Sequence, residues 1–326
     1  MPRHVLKIVA TGFALATAAA SIYAQTANYP NRAIKILVGY PPGGATDIVA
    51  RVVGNALALR IGQAVVVENK AGSASNIAAL EVARAEPDGY TLLHGPDNLF
   101  LTNPQIYGNN MPLDPLKDLV AVSSLAANQL ILAAHPSVKA NNLREFADLA
   151  RASKPPLFYA SIGNGSMHHI GMEILKEHLK IDLTHVPYKG GGPAGSALLA
   201  GDVQVMFGGG SLGSLIAAGK VRALGATGAK RSRVLPDVPT IGEIYPGYEV
   251  LIWHGTFAPA KTPQPILERL HREISAALQQ ADVAERLIKS GSGDPYITTR
   301  EEFAARIRAD SAKFGKVVGA LGIKLE

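Results

Sequence analysis

The stretch Ala33–Tyr40, AIKILVGY, runs directly into PPGGATD at Pro41–Asp47 and then into IVARVVGNALAL at Ile48–Leu59. A short apolar run bounded by turn residues reads as a buried strand. After Asp47 the apolar positions recur at helical spacing. Strand, glycine turn and helix in that order form the first part of a βαβ unit, whose next strand returns parallel to the first.

The scheme continues outward on both sides of the chain. A strand at Ala64–Glu68, a loop at Asn69–Asn76, a helix at Ile77–Ala85 and a strand at Tyr90–His94 follow. The middle repeats the order: strand Gln129–Ala134, helix Leu143–Ser153, strand Leu157–Ala160, turn SIGNGS at Ser161–Ser166, then a helix from Met167. Strands at Leu183–Tyr188 and Val203–Phe207 flank a helix from Gly195 to near Gly201. Gly190–Pro193 and Gly208–Ser211 read as loops, the second a candidate cleft wall. Two helical patterns close the chain, Pro265–Gln280 and Arg300–Leu321. The expected fold is α/β, with mainly parallel sheets in two lobes. Lobe 1 is expected from 25–125 and 226–326, and lobe 2 from 126–225, joined by crossover strands around a ligand cleft.

With 326 residues, 47% of them hydrophobic and 18% charged, the chain can bury a core in each lobe. Arg3, His4 and Lys7 precede an apolar run from Ile8 to Ala20, and small residues continue to Ala24. That layout predicts a signal peptide of residues 1–24, cleaved before Gln25, and a periplasmic location. The run is shorter than the roughly 20 residues that a membrane span needs. There is no cysteine, which excludes disulfides and thiol catalysis. The net charge of +6, from 32 basic and 26 acidic residues, is scattered rather than gathered into a stripe. Nucleic acid is therefore not an expected partner, no cofactor is expected, and the protein is expected to be a monomer.

The two glycine-rich turns carry the candidate chemistry. Each follows a strand and precedes a helix, and open α/β sheets bind ligands at the carboxyl ends of their strands. A helix N-terminus offers unpaired N–H groups and the positive end of the macrodipole, which suit an anion. Gly43, Gly44, Gly163 and Gly165 allow tight turning and close backbone approach. The hydroxyls of Thr46 and Ser166 can cap a helix or donate to a carboxylate. Asp47 has two readings: a helix-capping acid, or a partner for an ammonium or hydroxyl on a ligand. No lysine follows Gly44, so the first turn is not a P-loop. Adjacent His168 and His169 point to different faces of a helix and make a poor metal pair. No HExxH or GxSxG motif is present. Trp253 and His254 read either as packing residues or as part of a cleft wall.

Several longer stretches then become recognisable together. They are YPPGGATDIVAR (Tyr40–Arg51), ENKAGSASNIAA (Glu68–Ala79), PDGYTLL (Pro87–Leu93) and SIGNGSMHH (Ser161–His169). HVPYKGGGPA (His185–Ala194), LPDVPTIGE (Leu235–Glu243) and WHGTFAPAKTP (Trp253–Pro263) complete the set. The chain resembles the substrate-binding proteins of tripartite tricarboxylate transporters, the Bug family. The resemblance implies the type II periplasmic-binding-protein fold, a cleft that closes, a small carboxylate ligand and permease subunits as membrane partners. It implies that Tyr40, Pro42, Gly43, Gly44, Ala45, Thr46 and Asp47 bind the ligand together with Gly163, Asn164, Gly165 and Ser166, with His168 near. Gly39 and Tyr40 stand where Pro and Phe are frequent in the family. HGPDNLFLT at His94–Thr102 matches the family less well and is expected to shape specificity. Two alternatives are a ligand-sensing subunit of a membrane signalling system and a secreted hydrolase using Ser166. For the latter no nucleophile–base–acid set can be assembled.

Overall fold

The computed structural model describes residues 28–188, 191–209, 212–233 and 235–322. The basic and apolar N-terminal segment read as a signal peptide lies outside them. β1 (Ile34–Val38) sits between two parallel partners, β2 (Val65–Asn69) and β3 (Thr91–Pro96). A parallel strand covered on both faces is a continuous apolar run, which is the pattern at Ala33–Tyr40. Helix α1 (Ala45–Ile61) starts after Gly44 and stops where Gly62 turns to φ +67 and returns its N–H to Ala58. Helix α2 (Asn76–Ala83) fills the next crossover.

The chain then leaves one sheet for another. β4 (Leu119–Gln129) belongs to the first sheet, and β5 (Ile131–Ala134) to the second, with only Leu130 between them. The second sheet continues with helix α3 (Leu143–Ala152), β6 (Leu157–Ser161), helix α4 (Met167–Leu179) and β7 (Leu183–Pro187). Helix α5 (Gly191–Ala200), β8 (Val205–Gly208) and β9 (Arg222–Ala226) complete it, in the order β7-β6-β8-β5-β9. β10 (Leu251–Pro259) returns to the first sheet, and β11 (Asp294–Pro295) pairs with β4 at its edge, giving β11-β4-β10-β3-β1-β2. The result is two α/β lobes of similar plan.

Three details differ from the sequence reading. The strand expected at Gln129–Ala134 is two strands, because the chain passes from one sheet to the other at Leu130. The sheets are mixed, not mainly parallel: β10 runs antiparallel to β3 and β4, and β5 runs antiparallel to β8 and β9. The returning strands are long and buried but carry Ser, Ala, His and Gly among their apolar residues, so no period-2 alternation marks them. Helix α5 begins inside the Gly190–Pro193 stretch read as a loop, since packing of Ala194, Ala197 and Leu198 overrides the poor helix propensity of glycine. Of the proposed cleft wall, Gly210 and Ser211 lie outside the described residues.

Three C-terminal helices enclose the first sheet. Ile266, Leu270 and Ile274 of α6 (Gln264–Leu278) and Leu287 of α7 (Ala281–Lys289) join Val49, Val53 and Leu57 of α1 in one apolar cluster. Helix α8 (Arg300–Leu321) brings Phe303 and Phe314 to Trp253 and Phe257 in another. Thr299 and Glu302 form a capping box that fixes the start of α8. Trp253 is fully buried, stacks edge-on to Phe303 at 5.1 Å and donates from Nε1 to Asp310 Oδ2 at 3.1 Å. Its packing reading is the one realised.

Candidate functional site

A cavity of about 360 Å³ opens between the lobes. Tyr40, Asp97, Asn98 and Ile252 line it from the first lobe, and Ile162–His168 from the second. Six of the sequence-derived site residues therefore meet at one place: Tyr40, Gly163, Asn164, Gly165, Ser166 and His168. The other six do not line the cavity. Pro42, Gly43, Gly44 and Ala45 are exposed, while Thr46 and Asp47 are buried and engaged within the first lobe.

Asp47 is a structural residue here. Its carboxylate accepts from Gly43 N at 2.9 Å, from Asn69 Nδ2 at 2.8 Å and from Arg51 Nε at 3.0 Å. Burial works to raise its pKa, but the hydrogen bonds from Arg51, Gly43 and Asn69 outweigh that and hold it below the usual range. Of the two adjacent glycines, only Gly43 has a left-handed conformation, at φ +86; Gly44 is extended, at φ −79. No side chain caps α1, so its first-turn N–H groups have no capping side-chain acceptor. Thr46 Oγ1 lies 3.3 Å from His254 Nε2.

The second turn is organised differently. Gly163 and Gly165 both have positive φ, at +137 and +72. Ser166 caps α4: its Oγ accepts from His169 N at 3.3 Å and donates to Gly163 O at 2.7 Å. A hydroxyl committed to a cap and to a carbonyl is not poised as a nucleophile. Gly165 N donates to His169 Nδ1 at 3.2 Å, which makes that nitrogen an acceptor and leaves His169 neutral. His169 stacks on His185 at 3.9 Å, and His185 Nε2 meets Ser161 Oγ at 2.7 Å. Burial depresses the pKa of all three histidines here, to about 4 for His168 and His185. The turn is thus held by uncharged rings.

The first-lobe wall contains residues that sequence reasoning did not single out. Ser73, Ala74 and Ser75 take left-handed backbone in succession, at φ +46, +51 and +80, a strained run for non-glycine residues. Asparagines hold it in place. Asn103 Nδ2 donates to Ala74 O at 2.9 Å and to Asn76 Oδ1 at 2.8 Å, and Asn98 Nδ2 donates to Asn103 Oδ1 at 3.0 Å. The Tyr40 hydroxyl donates to Asn98 Oδ1 at 3.2 Å, so the cavity wall and the strained run are one network. A Cβ on Gly39 would lie 2.0 Å from Ser75 Oγ, which accounts for glycine beside Tyr40. Asp97 is 3% exposed and its Oδ2 has no hydrogen-bond partner. Burial raises its carboxyl to about 7, with Asp310 adding to the shift against the amides of Asn98 and Trp253. His94 and His254 stack beneath this wall at 5.8 Å, both held neutral by burial. The only available signal for Asp97 was its place in HGPDNLFLT, the stretch expected to shape specificity.

Among the described residues, none that lines the cavity is Lys or Arg. Among the described residues, no three His, Asp or Glu side chains gather to hold a metal. No helix of the described residues is long and apolar enough to cross a membrane.

Two mixed α/β lobes facing each other across a cavity whose described lining carries no Lys or Arg define the two-lobed solute-binding proteins. Comparison with known sequences narrows this. The chain belongs to the tripartite tricarboxylate transporter family receptors, whose family model matches residues 49–323. It is 36% identical over 297 residues to the UPF0065 protein in the tcbD-tcbE intergenic region of Pseudomonas sp. (strain P51), covering 89% of this chain and 88% of that one. It is 32% identical over 328 residues to Protein BugT of Bordetella pertussis, covering 99% of each, in line with the Bug-family resemblance. Among solved structures it is similar to MatC from Rhodopseudomonas palustris with bound malate, at 33% identity and TM-score 0.70, covering 89% of this chain and all of that one. A second R. palustris structure, with adipate, matches at 31% identity and TM-score 0.74, covering 91% of this chain and 100% of the other.

Proposed function

We propose that this protein is a periplasmic receptor that closes its two lobes over a small carboxylate and delivers it to the permease subunits of a tripartite tricarboxylate transporter. The observation that carries this reading is the inter-lobe cavity, walled by the glycine turn Gly163–Ser166 and Tyr40, with no Lys or Arg among its described lining residues. Closure would bring the uncapped N-terminus of α1 toward the turn before α4. An anion between them would be held by N–H groups and helix dipoles. The malate and adipate found with the R. palustris relatives support a carboxylate class of ligand. The commitment of Ser166 to capping argues against the hydrolase alternative, and binding without chemical turnover needs no cofactor.

A thermal-shift screen against mono-, di- and tricarboxylates tests the function. A ligand of the native state raises the melting temperature by mass action, by about 2.7 kcal/mol of stability at a hundredfold excess over Kd. Failure of every carboxylate in the screen sinks the proposal. Intact mass of exported protein tests the location: loss of residues 1–24 is expected, and retention of the full N-terminus counts against a periplasmic receptor. Co-purification with permease subunits tests the delivery step.

A further inference from the structure

We propose that the Asp97 carboxylate receives the ammonium group of a zwitterionic ligand, so that the cleft selects amino carboxylates over carboxylates of the same skeleton. This rests on the carboxylate reading of the cleft and names the ligand class more narrowly.

Three observations carry it. Asp97 lines the inter-lobe cavity, is 97% buried, and leaves Oδ2 without a donor. A carboxylate in that position is costly unless it is paired. The charged residue that acts on Asp97 is a second acid, Asp310, whose own Oδ2 already accepts from Trp253 and Arg306. The pairing group for Asp97 is thus not supplied from within the described protein. Finally, among the described residues that line the cavity, Asp97 is the one Asp or Glu, and none is Lys or Arg.

The arrangement has two poles. At one, the N-terminus of α4 and the N–H groups of its glycine turn suit a carboxylate. At the other, an orphan acid suits a cation. An ammonium donates up to three hydrogen bonds and bears the charge that Asp97 lacks a partner for. The pole is not supplied by Asp47, whose carboxylate is saturated by Gly43, Asn69 and Arg51. The raised carboxyl of Asp97 is what an acid without its counter-ion shows, and an arriving ammonium reverses the cause.

Calorimetry with matched probes decides. The pairs are aspartate and succinate, glutamate and glutarate, and phenylalanine and 3-phenylpropionate, with malate as the hydroxyl analogue of aspartate. The expected result is that the ammonium-bearing member of at least one pair binds at least about tenfold tighter, the scale of one charge-assisted hydrogen bond. Asp97→Asn should erase that preference while staying folded, with a melting temperature no lower than that of wild type. Equal or tighter binding of the deaminated member, or of malate over aspartate, overturns the Asp97 assignment and leaves the carboxylate cleft standing. Absence of binding by every probe, with and without nitrogen, sinks both. Should Asp97→Asn fail to fold, the wild-type pairs alone decide between these outcomes.

Discussion

Leu130 and Thr227 hydrogen-bond to each other twice: Leu130 N donates to Thr227 Oγ1 at 2.8 Å, and Thr227 N donates to Leu130 O at 2.9 Å. Leu130 is the residue between β4 and β5, and Thr227 follows the last residue of β9, so the pair ties the two chain crossings together. Thr227 Oγ1 also donates to Val250 O at 2.6 Å. All of this is buried. Thr227→Val keeps the shape and leaves a buried donor and a buried acceptor unpaired, at about 1–3 kcal/mol each. Urea unfolding should register that loss. Small-angle scattering should also change: wild type compacts on ligand saturation, and the variant should scatter as a less defined mixture of lobe arrangements.

The glycine turns should respond unequally to substitution. Gly165 has φ +72 and Gly43 has φ +86, so a branched residue at either is strained by the backbone alone. Gly44 is extended, and a Cβ there meets nothing nearer than Pro41 O at 3.8 Å. Gly165→Val should abolish ligand binding, whereas Gly44→Ala should leave the unliganded melting temperature unchanged. If Gly44→Ala nonetheless weakens binding by calorimetry, close backbone approach at the start of α1 accounts for it. Equal affinity in all three proteins would remove the turns from the site.

Asp97 links stability to pH. Its carboxyl titrates at about 7 in the fold, against 3.8 for an ordinary aspartate. A raised folded pKa means that folding favours the protonated form. The stability so contributed is complete below about pH 3.8 and is lost as pH rises through 7. Asp97→Asn escapes this loss, so it should exceed wild type by on the order of 4 kcal/mol at pH 8, converging with it by pH 4. His254 works in the other direction: burial holds it at about 4, so folding loses stability as pH falls from 6.5 toward 4. Both proteins share that loss, and it cancels in the difference. Denaturant midpoints at pH 4, 6 and 8 give the comparison.

Recognition of the ligand carboxylate should depend on its charge and little on salt. Among the described residues the cavity lining offers no guanidinium or ammonium, so N–H donors and helix dipoles are the groups expected to hold the anion. Converting the carboxylate of a bound ligand to its methyl ester should cost at least about a hundredfold in affinity, since donors are left unpaired in a closed cleft. Buried donors are screened far less than surface charges, so affinity should vary little between 0.05 and 0.5 M salt. A steep salt dependence would point instead to exposed lysines at the rim.

The sequence by itself determined most secondary units, the two-lobed plan and six of the residues that line the inter-lobe cavity. AIKILVGY announced a covered strand, and Arg300–Leu321 announced its helix to the residue, because apolar period is a local property of the chain. The turn Ser161–Ser166 was legible for the same reason: strand, glycines and cap are neighbours in sequence. What only the tertiary structure decided depends on contacts between distant segments. The sequence singles out Asp47 and leaves Asp97 as one residue of HGPDNLFLT. Asn69 and Arg51 saturate one, while Trp253, Asp310 and the cavity wall bury the other with Oδ2 left without a donor. Trp253 became core rather than cleft because α8 arrives from 50 residues away to cover it. Hydrogen-bond satisfaction and desolvation are sums over neighbours in space, and those neighbours exist only once the chain has folded.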